Sequence, residues 1–254
     1  FICFIIIKSI SFGNSEFRKM ELDNGLKVLL VSNEKFNKSA ASMNVGVGSL
    51  QDPEDSPGLA HFLEHMLFLG TEKYPDVEDY STYLKSNGGY SNAYTAGDHT
   101  NYHFEVFHES FEGALDRFAQ FFISPLFSPE YTNREMNAVN SEYQKNLEND
   151  GWRSMQIMRG ICKLDHPENH FNIGNLETLS NVDRKVLLDF YDKYYSANQM
   201  FLAVLSNKNL DLIEDLVNKY FVQIKNHNNG IIKYPVNYLD EVDSLRLISI
   251  DPIK

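Results

Sequence analysis

Cysteine and positive charge are both scarce in this chain of 254 residues. Only Cys3 and Cys162 are present, so a scaffold held together by several disulfides is excluded. The chain has 23 lysines and arginines against 35 aspartates and glutamates, which gives a formal net charge of −12. Domains that bind nucleic acid normally carry the opposite excess, so we expect no nucleic-acid partner.

Long apolar runs are also absent. The longest covers residues 1–7, far short of the roughly 20 residues that span a bilayer, so we expect no transmembrane segment. This run resembles the end of a signal peptide, and residues 11–13 (SFG) fit a small-x-small cleavage pattern. The alternative for residues 1–16 is an N-terminal extension packed on the core. If residues 1–13 are a signal remnant, we expect the protein to be secreted. If they are not, we expect it to be cytoplasmic.

The remaining composition is that of a folded domain, with 43% apolar and 13% aromatic residues. No repeat or Pro/Gly-rich linker divides the chain, so we read a single domain. Hydrophobic periodicity and turn residues predict the elements. The predicted strands are 27–31, 41–48, 90–95, 102–107, 200–205 and 245–250, and the predicted helices are 56–70, 77–86, 111–122, 128–148, 153–162, 183–194 and 211–221.

Strands and helices mix in this prediction without strict alternation, which favours an α+β fold over a doubly wound sheet. The first helix has the clearest boundaries. Ser56 is expected to cap its N-terminus, Pro57 to occupy its first position, and Gly70 to end it.

This first helix also carries the most informative residues. His61 and His65 are four positions apart and therefore share one face. Their imidazoles can converge on one Zn²⁺ at about 2.0–2.1 Å per bond. Glu64 directly precedes the second histidine and can reach a water bound to the same metal. This order, HxxEH, is the reverse of the HExxH zinc motif.

The context of the motif favours a metal site over a helix with two exposed histidines and a solvated glutamate. Large apolar residues surround the motif and predict that the helix is buried; these are Phe62, Leu63, Met66, Leu67 and Leu69. Three ionisable groups on a buried helix need partners, and a metal ion would satisfy them.

A catalytic zinc site needs a third protein ligand. Glu135 and Glu142 lie two turns apart on the predicted helix 128–148, so they share a face. One of them could bind the metal while the other orients a ligand histidine from behind. Taken singly, each glutamate is better explained as part of a solvated helix face, but as a pair beside the HxxEH helix they become plausible metal-site residues.

Several segments together resemble a known family. Residues 61–71 (HFLEHMLFLGT), followed by Lys73-Tyr74-Pro75, are similar to the active-site segment of the M16 (inverzincin) family of zinc metallopeptidases. Residues 91–95 (SNAYT), 99–102 (HTNY), 112–122 (EGALDRFAQFF) and 134–142 (REMNAVNSE) agree with the same family in order and spacing. The resemblance extends over about residues 17–254.

The resemblance implies a role for each residue of the site. His61, His65 and Glu142 would be the ligands of one Zn²⁺ per domain, and Glu64 the general base on the zinc-bound water. Glu135 would orient a ligand from the second shell.

The resemblance also implies how a peptide would bind. Ser91, Asn92 and Ala93 would form an edge strand that pairs with the substrate backbone. Phe68, Tyr94 and Trp152 would line the cleft, although Phe68 and Trp152 are also well explained as core residues.

At the level of the whole protein, the resemblance implies a mixed, largely antiparallel sheet with helices packed on it. Residues 17–254 would be the N-terminal catalytic domain, the first of about four homologous domains. Its partners would then be peptide substrates and the later domains of the same chain. Two alternatives are a catalytically inactive scaffold or processing subunit of the same fold, and a non-enzymatic module stabilised by zinc.

Overall fold

The computed structural model describes residues 14–169, 171–240 and 247–253. The possible signal remnant and Cys3 lie outside the described residues, as do the first two residues of the predicted strand 245–250. Among the described helices, none combines the length and hydrophobicity that crossing a membrane requires.

The described residues form one six-stranded sheet in the order β1-β2-β6-β3-β5-β4. Its strands are β1 (Glu16–Glu21), β2 (Lys27–Ser32), β3 (Ser39–Val45), β4 (Tyr90–Thr95), β5 (Thr100–Val106) and β6 (Met200–Ser206). Only the β2–β6 pair is parallel, and the other four pairs are antiparallel. The predicted α+β fold with a mixed, largely antiparallel sheet is therefore confirmed.

Seven α-helices accompany the sheet in the described residues. They are α1 (Leu59–Leu67), α2 (Asp79–Ser86), α3 (Phe111–Gln120), α4 (Pro129–Leu147), α5 (Asp150–Gly160), α6 (Arg184–Tyr194) and α7 (Leu210–Phe221). Each lies within a few residues of a predicted helix, because each carries an apolar stripe of helical period.

One face of the sheet carries the core. Residues of β3, β5 and β6 alternate between fully and partly buried, as period-two strands with one covered face do. On the covered face, Phe104 packs against Phe118 of α3, with their ring centroids 5.1 Å apart. Phe118 also contacts Phe122 at 5.3 Å. This aromatic cluster fixes α3 on the sheet.

The predicted start of the first helix is wrong. Helix α1 begins at Leu59, after Gly58, whose φ of +95° is left-handed and not helical. The Ser56 hydroxyl donates to Asp55 and does not cap α1. The left-handed backbone at Gly58 ends the helical conformation there. The position also requires glycine, since a Cβ at Gly58 would lie 2.3 Å from the Cα of Gly174. At the other end, Gly70 has a φ of +88° just beyond the last turn.

Two strand assignments also differ. Strand β1 was missed because it is an edge strand of mostly exposed residues, with little hydrophobic alternation to reveal it. The predicted strand 245–250 is wrong over its described part, since residues 247–250 pair with none of the described strands and Leu247 is 95% exposed. An apolar run becomes a strand only where a partner supplies the ladder hydrogen bonds.

Replacing Phe118 by Ala should lower the free energy of unfolding by about 3–5 kcal/mol, because it leaves a cavity among packed rings. Phe17 of β1 is 43% exposed, so the matched change Phe17→Ala should cost less than about 1 kcal/mol. Urea denaturation of the chain, followed by circular dichroism, measures both. Similar losses for the two variants would contradict this picture of the core.

Candidate metal centre

Helix α1 packs against α4, and the contact brings two histidines to one carboxylate. The Oε2 atom of Glu142 lies 3.6 Å from Nε2 of His61 and 3.8 Å from Nε2 of His65. One ligand atom from each of the three residues can be chosen so that all lie within 4.8 Å of one another. The three predicted ligands therefore converge on one point, although Glu142 is 77 positions beyond His65 in the sequence.

The spacing of this cluster fits a small divalent cation. Zn²⁺ with bonds of about 2.0–2.2 Å in tetrahedral geometry places its ligand atoms about 3.3–3.6 Å apart. The two observed nitrogen–oxygen distances, 3.6 Å and 3.8 Å, lie at or just above the upper end of that range. Two imidazoles and a carboxylate are also a ligand set typical of catalytic zinc, which keeps a fourth position for water.

Partners behind the cluster fix the orientation of both histidine rings. Nδ1 of His61 donates to the carbonyl of Ile173 at 2.7 Å. Nδ1 of His65 faces Oε2 of Glu135 at 3.4 Å. Because a carbonyl and a carboxylate only accept, each Nδ1 carries the hydrogen and each Nε2 presents its lone pair toward Glu142. Glu135 thus lies behind His65, on the side away from Glu142.

Neighbouring charges and hydrogen bonds shift the pKa values of His65 and Glu135 in opposite directions. Burial disfavours the charged form of His65, but the hydrogen bond to Glu135 and the charges of Glu64 and Glu142 outweigh it, so the pKa of His65 is raised. The hydrogen bond from His65 is also the main reason that the pKa of Glu135 is lowered. Arg134 supports the Glu135 carboxylate from its other side at 3.2 Å.

Glu64 occupies the interior beside this cluster and is only 7% exposed. Burial raises the pKa of its carboxyl group, while His61 and the Thr95 hydroxyl oppose that shift. Thr95 donates to Oε2 of Glu64 at 2.5 Å. A buried carboxylate with a raised pKa next to a cation site has the properties required of a general base.

Strand β4 lies beside α1 at the edge of the sheet. Among the described strands it pairs only with β5, which leaves the other side of Ser91, Asn92 and Ala93 without a neighbouring strand. The strand ends at Thr95, which is bonded to Glu64. An extended peptide that added to this edge would therefore run toward the cluster.

Three residues predicted to line a cleft have different surroundings. The side chain of Tyr94 is 50% exposed on β4. Phe68 is partly buried and packs against the core through the rings of Tyr80, Tyr102 and Phe121, with centroids 5.2–6.2 Å apart. Trp152 is partly buried at a cavity of about 450 Å³, whose lining also includes Tyr143 and Phe171.

Sequence reasoning missed two groups of this centre. The Ile173 carbonyl that orients His61 is a backbone atom, so no residue type at that position signals it. Thr95 was part of a recognised segment, but nothing in the sequence indicated that its hydroxyl reaches Glu64. Such contacts between distant segments become visible only in the folded chain.

The fold brings His61, His65 and Glu142 together, and comparison with known proteins gives the family. The insulinase (peptidase family M16) profile matches residues 27–163, more than half of the chain. The chain therefore belongs to peptidase family M16. A second profile, the M16 inactive domain, matches residues 181–250. Both matched regions contribute to one sheet, since β6 lies between β2 and β3.

Among curated relatives, the chain is 50% identical to insulin-degrading enzyme-like 2 of Arabidopsis thaliana over 227 residues, covering 87% of this chain and 24% of that protein. It is 47% identical to human insulin-degrading enzyme over 246 residues, which cover 94% of this chain and 24% of the human protein. Among solved structures, pitrilysin superposes with a TM-score of 0.88 at 38% identity, covering 92% of this chain and 25% of that one. The chain thus spans about a quarter of the length of these relatives.

The change Glu142→Ala should abolish tight zinc binding, because it removes the only one of the three ligands that α4 supplies. Elemental analysis after dialysis should find one zinc per wild-type chain and almost none in the variant. Glu130→Ala, an exposed substitution in the first turn of the same helix, is the matched control and should retain its zinc. Full zinc occupancy in Glu142→Ala would contradict the assignment of the ligand.

Proposed function

We propose that this chain is the catalytic domain of a zinc-dependent endopeptidase that hydrolyses peptides and small unfolded polypeptides. The observation that carries the proposal is the convergence of His61, His65 and Glu142 beside a buried Glu64. Membership of peptidase family M16 and the similarity to insulin-degrading enzymes support it.

The residues of the site have separate tasks in this mechanism. His61, His65 and Glu142 would hold the Zn²⁺, which when bound supplies a Lewis acid for the scissile carbonyl and acidifies water. Glu64 accepts a proton from the attacking water and delivers it to the leaving amine. Thr95 holds the Glu64 carboxylate in place, and the raised pKa of Glu64 suits a group that both accepts and returns a proton.

Substrate binding follows from the open edge of β4. A peptide that pairs with Ser91, Asn92 and Ala93 is held by backbone hydrogen bonds, which every sequence can form. This mode would explain activity on varied side chains. We propose that Tyr94, Trp152 and Phe68 contribute to the cleft, with Tyr94 the most accessible of the three.

The alternatives are less well supported. An inactive scaffold has no need of a base, whereas here all three ligands and the buried Glu64 are present together. A structural zinc module normally closes its four positions with protein ligands, often cysteines. The free Cys162 is not among the clustered residues.

The change Glu64→Gln should lower peptide hydrolysis by the complete protein by a factor of about 10²–10⁴, because it removes the proton acceptor and leaves the ligands in place. Turnover of a fluorogenic peptide measures the rate, and elemental analysis confirms that zinc is retained. The exposed change Glu34→Gln serves as the matched control. Hydrolysis by Glu64→Gln at a rate near that of the wild type would refute the assignment.

We further propose that residues 17–254 are the first of about four homologous domains. The support is that the chain matches only about a quarter of its relatives. Later domains would then complete the substrate chamber and add groups that stabilise the transition state.

The 254-residue chain alone should therefore bind zinc but show at least about 100-fold lower peptidase activity than the complete protein, since only part of the transition-state binding is available. Fluorogenic peptide turnover by both forms, at equal zinc occupancy, measures the difference. Comparable turnover by the isolated chain would contradict the proposal.

A further inference from the structure

Asp52 is an acidic residue outside the proposed mechanism, yet it binds the backbone of the metal-site helix. Its Oδ2 accepts the N–H of Gly58 at 2.7 Å, and its Oδ1 accepts the N–H of Ala60 at 2.8 Å. These amides belong to the start of α1, where backbone N–H groups lack partners within the helix. Asp52 thus caps α1 with both oxygens, and it also meets the positive end of the helix dipole.

The turn that Asp52 holds is packed directly against the segment that orients His61. A Cβ at Gly58 would lie 2.3 Å from the Cα of Gly174 and 2.9 Å from the carbonyl carbon of Ile173. The carbonyl oxygen of Ile173 accepts the Nδ1 hydrogen of His61 at 2.7 Å. One junction therefore contains the turn capped by Asp52, the close approach of Gly58 to Gly174, and the hydrogen bond from His61 to Ile173.

A carboxylate at this position carries a desolvation cost. Burial raises the pKa of Asp52 to about 7, although the two backbone N–H groups and the charge of Arg159 oppose the shift. A neutral asparagine would avoid this desolvation. It would, however, offer a single acceptor oxygen, and its amide group would point an N–H at a backbone N–H. The carboxylate gives each of the two amides an oxygen of its own.

We propose that Asp52 is a positioning residue for the metal centre. By holding the amides of Gly58 and Ala60, it fixes the first turn of α1 against the 173–174 backbone and so aims Nε2 of His61 at the point where His65 and Glu142 meet. The inference rests on the proposed zinc site, and it adds the group that aligns one ligand from outside the cluster.

The test is Asp52→Asn in the complete protein. Outer groups that orient a metal ligand typically contribute 10–100-fold in metal affinity, so the zinc dissociation constant should rise by about that factor. With limiting zinc, kcat should fall in parallel while KM changes less than about twofold, since the substrate strand β4 is untouched. Zinc competition with a chromogenic chelator and fluorogenic peptide kinetics measure these quantities.

Asp183→Asn is the matched control, because Asp183 caps α6 through a single acceptor bond to the N–H of Val186 at 2.9 Å. It should leave zinc affinity and kcat unchanged. The thermal midpoint of the zinc-free protein separates positioning from folding, and for Asp52→Asn it should stay within about 3 °C of the wild type. A second variant, Gly174→Ala, disturbs the same junction from its other side and should also weaken zinc binding.

The inference would be overturned if Asp52→Asn kept the zinc affinity and kcat of the wild type. It would also be overturned if the variant lost zinc only because its zinc-free form had a clearly lower thermal midpoint. If the wild-type protein itself bound no zinc, the proposed function would fail instead, so the two failures can be told apart.

Discussion

The packing of α1 against α4 is the contact on which the rest of the site depends. Seven of the nine residues of α1 are buried, and they include Glu64 together with large apolar side chains. Such burial ties the helix to its neighbours, because any displacement would expose apolar area or leave a buried carboxylate unpartnered. His61 and His65 remain on the side that faces α4, and Glu142 meets them there.

The centre is supported from several directions at once. Glu135 and the Ile173 carbonyl set the two histidine rings, Thr95 holds Glu64, and Asp52 holds the start of the helix. These groups come from separate parts of the chain, and each bonds through an atom with a defined direction. A cluster held in this way is preorganised, so a metal would find its ligands already near their final positions.

Strand β4 links the sheet to this chemistry. Its residues continue the sheet as far as the edge, and its last residue bonds the buried Glu64. The edge strand and the proposed proton acceptor are thus joined by a direct hydrogen bond. Under the proposed function, substrate alignment would depend on backbone geometry rather than on a particular side chain.

Local patterns in the sequence determined the seven helices, five of the six strands, and the pair His61 and His65 with Glu64 between them. These features follow from period and spacing within one element, which a sequence displays directly. The start of α1 at Leu59 depended on the left-handed turn at Gly58, and strand β1 depended on an available sheet edge. Spacing alone left Glu135 and Glu142 as equivalent candidates, and the packing of α4 on α1 brings Glu142 to the two histidines. Contacts between residues far apart in the chain decide such features, and only the tertiary structure brings those residues together.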